Sequence, residues 1–419
     1  MIPKGRRRLA IALLTMVGPD GASFAEPRNG SPGEEGSRRR PCAVRIATGS
    51  GFSCALTAAG GVECWGFGFS GQLGDGASGP GAQSDTPRPV VSLGSGVAQI
   101  AAGFSHACAV KRDGSLWCWG SGSSGELGDG QQGPEHLSAV PIQVAALGHD
   151  AVQVSAGNSF TCATRKDRTA WCWGENLQGQ VGRGSLSTGP LSGVPEPSQV
   201  GGMTAVVEVA SGGFHACARL AEGGVWCWGN DQLGELGDGV TGTFNPTPVQ
   251  VQDLAEVTAL DAGQEHTCAV QSDGSLWCWG NNPGGELGIG QTGGFRAVPA
   301  KVALPEVRAI DAGFQHTCAI AGPERGLWCW GALQTSVLHN ALGAFQVMSN
   351  VPLKMGGDLE ARVNRSSVGK AHTCAVRDDG LQCWGANQFG ELGLGDLQDR
   401  FAPIEVRAMC RSRELSGMK

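Results

Sequence analysis

The sequence predicts an all-β propeller, a ring of four-stranded blades closed near its two ends. Three observations predict it. A unit with two cysteines nine to eleven positions apart, the second usually flanked by tryptophan, recurs seven times. The first cysteine of each copy falls at 54, 108, 162, 217, 268, 318 and 374, so the spacings are 54, 54, 55, 51, 50 and 56, a period that suits four short strands and their turns. Segments such as VAQIAAG and AVQVSAG alternate apolar and polar residues between glycines and prolines, with no sustained 3.6-residue period. The 69 glycines in 419 residues fit many tight turns, and 41% hydrophobic residues suffice for a core.

From the N-terminus, residues 1–25 read as an export signal. Lys4, Arg6, Arg7 and Arg8 precede the apolar run LAIALLTMVG, and Ser23 and Ala25 offer a cleavage site. The run is too short to span a bilayer; a membrane anchor is the alternative reading. Its removal takes away four positive charges and Asp20, moving the formal net charge from -7 to -10. Such an acidic chain is a poor nucleic-acid binder. Residues 26–41, EPRNGSPGEEGSRRRP, carry Pro, Gly and charge without apolar period and read as a flexible linker.

Residues 42–410 form the propeller and 411–419 a C-terminal tail. In HACAVKRDGSLWCWG, His106 to Gly120, Cys108 and Cys118 oppose each other if Arg112, Asp113 and Gly114 form a three-residue hairpin loop, with Gly114 as its left-handed residue. Opposed residues are close enough for a disulfide. The expected pairs are Cys54–Cys64, Cys108–Cys118, Cys162–Cys172, Cys217–Cys227, Cys268–Cys278, Cys318–Cys329 and Cys374–Cys383. Zinc is the rival, but the CxxC knuckles it favours are absent. Each small closed loop contributes about 3 kcal/mol by chain entropy. Alternation sends Trp117 and Trp119 to the face opposite Cys118, where a neighbouring blade buries both. Cys42 and Cys410 remain, one opening CAVRIATG and the other closing PIEVRAMC. A ring brings them together, so a Cys42–Cys410 bond is expected to lock it.

A full copy reads GQEHTCAVQSDGSLWCWGNNPGGELGIG, Gly263 to Gly290. It resembles the repeat of the regulator of chromosome condensation family, whose signature runs from an HT pair through an apolar strand to WGxNxxGQLGxG. Trp119-Gly120 with Gly125 to Gly128, Trp228-Gly229 with Gly234 to Gly237, and Trp384-Gly385 with Gly390 to Gly393 carry the same elements. The resemblance covers residues 42–410 and implies a seven-bladed β-propeller. The family's best-known activity is guanine-nucleotide exchange on a small GTPase, and some secreted members inhibit β-lactamases. The paired cysteines depart from the pattern of intracellular members. Two copies deviate: the third has VGRG at Val181 to Gly184 and Arg168 in place of the hairpin glycine, and the sixth follows Trp330-Gly331 with ALQTSVLHNALGAFQ and has no GELG.

His106, His215, His266, His316 and His372 stand two residues before the first cysteine of five copies, where the other two have Phe52 and Phe160. A position that accepts phenylalanine reads as packing plus one local hydrogen bond; a metal or acid-base site is the rival. Glu126 with Asp129 and Glu235 with Asp238 read as turn formers, without calcium-loop spacing or a catalytic couple. No GxSxG, HExxH or phosphate loop is present.

The loops after each GELG are the least uniform segments, and in a ring they share one rim. Phe244, Phe295, Arg296 and Phe345 have anchor character there, with packing over blade edges the equal alternative. The expected protein is a secreted or periplasmic, cofactor-free, non-enzymatic monomer that binds another macromolecule through this rim, with enzyme inhibition as a sub-case. An extracellular hydrolase or lyase with a site at the channel mouth is a second hypothesis, nucleotide exchange a third.

Overall fold

The structure, a computed structural model, describes residues 42–189, 191–332, 338–339, 345–346, 348–407 and 409. The export signal 1–25, the linker 26–41, Cys410 and the tail 411–419 lie outside the described residues.

Seven four-stranded antiparallel sheets succeed one another, six of them made of consecutive strands and the sixth interrupted by a short hairpin before its outermost strand. The first blade comprises Ala43–Thr48, Phe52–Thr57, Val62–Phe67 and Gln83–Pro89, from the innermost strand to the outermost. The seventh comprises Val363–Val368, His372–Arg377, Leu381–Gly385 and Arg400–Glu405. Each innermost strand packs beside the next, and Ala43–Thr48 returns against Val363–Val368. Among the described residues no strand is shared between the first and last blades, which meet by packing and cross-blade hydrogen bonds. Thr48 N donates to Ser367 Oγ at 3.0 Å, and the Trp65 indole to the Glu391 carbonyl at 2.8 Å. The expected Cys42–Cys410 bond falls on a residue outside the described set; Cys42 is not a free thiol.

Innermost strands leave an edge facing the channel, and the chain caps it from the preceding blade. Gln99 Oε1 accepts from Val154 N (3.0 Å), Gln153 Oε1 from Val209 N (2.8 Å), Ser155 Oγ from Ser211 N (2.9 Å) and Asp261 Oδ2 from Ala312 N (2.7 Å). These side chains satisfy backbone donors that burial would otherwise penalise. The outermost edges are protected differently. All seven outermost strands carry proline, among them Pro87, Pro141, Pro246 and Pro403, which withholds a donor from any chain that tries to extend the sheet.

The second and third strands of each blade pair with the cysteines face to face, as in Cys108↔Cys118 with Ala107↔Trp119. Seven disulfides join these positions at Cα separations of 4.0 to 4.1 Å. Each packs against the tryptophan of the following blade: Cys54 and Cys64 share a core with Trp119, and Cys374 and Cys383 with Trp65. The two tryptophans of a WCW run differ, contrary to the expectation that both are buried. Trp119 is fully buried, whereas Trp117 lies two residues nearer the hairpin turn and is half-buried, its indole donating to Ser115 Oγ beside the turn.

The deviant copies complete their blades. The sixth supplies its outermost strand as Met348–Lys354 and folds part of its insertion into a small hairpin, Leu338–His339 against Phe345–Gln346. In the third, Arg168 takes φ 62°, where Gly114 and Gly60 both have φ 85°. An L-residue held there costs about 1 to 2 kcal/mol, partly offset by glycine's greater freedom when unfolded. Arg168→Gly is expected to raise stability by about 0.5 to 1 kcal/mol, read as a higher urea midpoint at unchanged m-value.

Candidate functional site

The acidic and histidine residues of the repeats are structural. In each described G-[EQ]-L-G or its variant, the acid or amide side chain folds back onto the backbone N–H two residues earlier. Glu126 accepts from Ser124 N (2.7 Å), Glu235 from Leu233 N (2.8 Å), Glu391 from Phe389 N (2.8 Å), and Gln72 and Gln180 do the same. The backbone carbonyl of this residue accepts the indole N–H of the next blade's tryptophan, as in Trp173 to Glu126 (2.9 Å) and Trp330 to Glu286 (2.7 Å). Burial raises the pKa of Glu126, Glu286 and Glu391, and takes Glu235 to about 7.

The histidines make a cross-blade bond in place of the expected local one. Nε2 of His106, His215, His266, His316 and His372 lies 2.8 to 2.9 Å from the hydroxyl of Thr161, Thr267, Thr317, Thr373 and Ser53 on the following blade. The hydroxyls of Ser53, Thr161, Thr267 and Thr317 in turn donate to the carbonyl of a G-E-L-G glutamate. The hydroxyl proton is thereby committed, and the network assigns a neutral imidazole protonated on Nε2. Desolvation lowers the pKa of all five, to about 3 for His215 and His316 and about 4 for the others. Where a copy has phenylalanine, the next has alanine: Phe52 shares a core with Ala107, and Phe160 with Ala216. Among the described residues, no three His, Cys, Asp or Glu side chains form a metal-binding group.

The strands alternate in direction, so the turns between first and second strands and the long loops between third and fourth strands share one face. At its centre, seven turns of sequence Gly-X surround an axial cavity of about 80 Å³. The glycines are required by closeness: a Cβ on Gly103 would lie 2.3 Å from the Gly157 carbonyl oxygen, and one on Gly369 would lie 2.8 Å from that of Gly49. The X residues are Ser50, Phe104, Asn158, Gly213, Gln264, Phe314 and Lys370. No carboxylate or histidine is among the described lining residues; two carboxylates, Asp261 and Asp311, precede the lining residues Ala262 and Ala312, accept from Ala312 N and Ser366 Oγ, and have pKa values raised chiefly by burial, that of Asp311 to about 7. Lys370 Nζ stands 5.3 Å from the Phe314 ring centre and 5.7 Å from that of Phe104. Beside the mouth, Phe67 stacks on Phe69 at 6.2 Å and meets Phe389 at 4.8 Å. Gly51, next to mouth residue Ser50, lies against Phe389 and Phe67. Phe69, Phe104 and Phe389 are 48%, 40% and 39% exposed.

The anchors expected from sequence lie at the outer margin of the same face, away from its centre. Phe244 and Phe295 are exposed at the starts of the outermost strands Thr243–Gln250 and Phe295–Val302, on the circumference. Arg296 donates to Gln291 Oε1 and to the Phe295 carbonyl. Phe345 lies in the short hairpin strand, with its side chain outside the described residues. Sequence reading missed Phe67, Phe69, Phe104, Phe314, Phe389 and Lys370. The position after the Ala-Gly or Val-Gly pair that closes each innermost strand in most copies would have marked three of them.

Comparison with known proteins places this architecture. Residues 18–356 match the model of the RCC1-like domain, and residues 367–391 that of the regulator of chromosome condensation (RCC1) repeat. The chain belongs to the RCC1-like family. It is 31% identical over 315 residues to the ultraviolet-B receptor UVR8 of Arabidopsis thaliana, covering 74% of this chain and 69% of the receptor. To the mitochondrial RCC1 domain-containing protein RUG3 of the same plant it is 32% identical over 61% of this chain, and it spans 58% of that relative. Among solved structures, Prp20p from Saccharomyces cerevisiae superposes with a TM-score of 0.70 at 22% identity, covering 88% of each chain. This likeness is one of fold.

Proposed function

We propose that the protein is an exported, disulfide-stiffened RCC1-like propeller that binds another protein through the face bearing the channel mouth, with inhibition of an enzyme as one form of that binding. The observation that supports it is the run of exposed aromatic side chains from Phe104 past the mouth to Phe389 and Phe69 on a rigid scaffold. Aromatic anchors on a preorganised surface are what protein recognition uses. Export is supported by seven disulfides, which persist in oxidising compartments. No helix among the described residues is long and apolar enough to cross a membrane. Prp20p, which shares the fold, binds Gsp1p and histones; for the present chain nucleotide exchange on a GTPase is the alternative, and it requires a cytosolic or nuclear location.

Pull-down from the medium or envelope tests the reading. Phe69, Phe104 and Phe389 changed together to serine should abolish capture, whereas Phe244, Phe295 and Arg296 changed to alanine should weaken it only where the partner reaches the circumference. Capture unchanged by the first set overturns the proposal. Digests of the unreduced exported protein should contain Cys108 linked to Cys118 and Cys42 linked to Cys410; free thiols there would remove the case for export.

A further inference from the structure

We infer that the channel mouth is a receptor for a carboxylate side chain of the partner, carried on an apolar-flanked protrusion and received by Lys370 between Phe104 and Phe314. The inference rests on the proposed function and adds the chemistry of the partner. Lys370 is exposed and makes no ion pair among the described residues, although the protein as a whole is acidic, with a formal net charge of -7. The cavity beneath it is lined by glycine, alanine, valine, hydroxyl and amide residues together with the two rings, with no acid among the described lining residues. Of the acids adjoining the lining in sequence, Glu265 accepts from Asn281 Nδ2 at 2.7 Å, Asp261 accepts from Ala312 N at 2.7 Å and Asp311 accepts from Ser366 Oγ, and burial raises the pKa of both aspartates, so that the charge they set against an incoming acid is reduced.

The two rings hold the ammonium from blades 2 and 6, while Lys370 itself comes from blade 7. Ring faces attract a cation without neutralising it, so the charge remains for an incoming anion. An acid placed there trades water for a charge-assisted hydrogen bond, and its apolar flanks meet Phe104, Phe314 and the neighbouring Phe389. A basic protrusion meets an uncompensated like charge and is rejected. The cavity of about 80 Å³ admits a side-chain tip and no more, which restricts the occupant to a protrusion seated on the mouth.

The test uses the oxidised propeller and a phage library of disulfide-closed random peptides. Selected loops should be enriched in Asp or Glu beside Leu, Ile or Phe, with Lys and Arg depleted. The best synthetic loop should bind the Lys370→Met protein at least tenfold more weakly, and the Lys370→Glu protein more weakly still. Its own Asp→Asn or Glu→Gln version should lose as much, with no further loss on Lys370→Met. Unchanged melting temperature of both proteins excludes misfolding as the cause. Loops lacking acid enrichment, or binding Lys370→Met within twofold of the parent, overturn the inference while leaving the proposed function standing. Partner capture indifferent to Phe69, Phe104 and Phe389 strikes the function itself. A concentration-dependent dimer abolished by Lys370→Glu would assign the mouth to a second copy and overturn the inference too.

Discussion

Thr317→Ala is expected to destabilise the propeller by about 2 to 3 kcal/mol, and adding His266→Phe to restore most of the loss. The Thr317 hydroxyl accepts from His266 Nε2 at 2.8 Å and donates to the Glu286 carbonyl at 2.8 Å. Removing it leaves the imidazole N–H buried without a partner, the costly way to lose a hydrogen bond. The carbonyl suffers less, because the Trp330 indole still donates to it at 2.7 Å. The double variant recreates the joint that the chain already uses between Phe52 and Ala107 and between Phe160 and Ala216. His266→Phe alone sets a larger ring against Thr317 and leaves the hydroxyl without its imidazole, so a double-mutant cycle should show coupling above about 1 kcal/mol. Additive effects would mean that the two residues do not form one unit.

The same joints contribute to the acid limb of stability. The folded His266 has a pKa of about 4 against 6.5 when unfolded, because burial disfavours its charged form. Its contribution is therefore complete above pH 6.5 and is lost as pH falls through the window from 6.5 to about 4, where the unfolded chain binds the extra proton. A shift of this size is worth on the order of 3 kcal/mol, and five histidines share its direction. His266→Phe with Thr317→Ala should flatten the fall in urea midpoint between pH 6.5 and 4. An acid limb as steep as the parent's would show that the imidazole is not the titrating group.

The ring, the blade count and the facing cysteines were legible because each rests on periodicity within a copy. Ten positions between Cys108 and Cys118 with Gly114 in the turn leave little choice of register. What escaped were relations between copies. His266 read within its own repeat looks like a packing residue, and only its comparison with position 317 of the next repeat shows that histidine always faces a hydroxyl and phenylalanine always an alanine. The glutamates were hidden for a related reason: their side chains serve a turn, while their carbonyls, invisible to any residue-type pattern, receive the neighbour's indole. The aromatic face was missed because Phe67, Phe69 and Phe389 come from the first and seventh copies, which are adjacent only once the ring is closed.

Comparison across blades also isolates one local misfit, Asp231, from which a second large effect is expected. In blades 3, 5 and 7 an asparagine at this position accepts from the backbone N–H five residues on and donates from Nδ2 to the carbonyl nine residues on. Asn176 meets Val181 and Ser185, Asn282 meets Leu287 and Gln291, and Asn387 meets Leu392 and Asp396. Asp231 accepts from Leu236 N at 3.2 Å, and its loop closes with the same backbone bond eleven residues on as those of Asn176 and Asn282. Its second oxygen thus stands where the other blades present a donor, and it fills that role only when protonated. Burial is the main cause that raises its pKa to about 7, with Asp238 and Glu235 nearby adding to it. Stability from this group is complete below its unfolded value of 3.8 and is lost as pH rises through 7. Asp231→Asn should leave stability at about pH 4 nearly unchanged and raise it at about pH 8.5 by on the order of 2 kcal/mol, as a higher urea midpoint. An equal gain at both pH values would place the effect in packing, and no gain on the alkaline side would mean that the ionised carboxylate is already compensated.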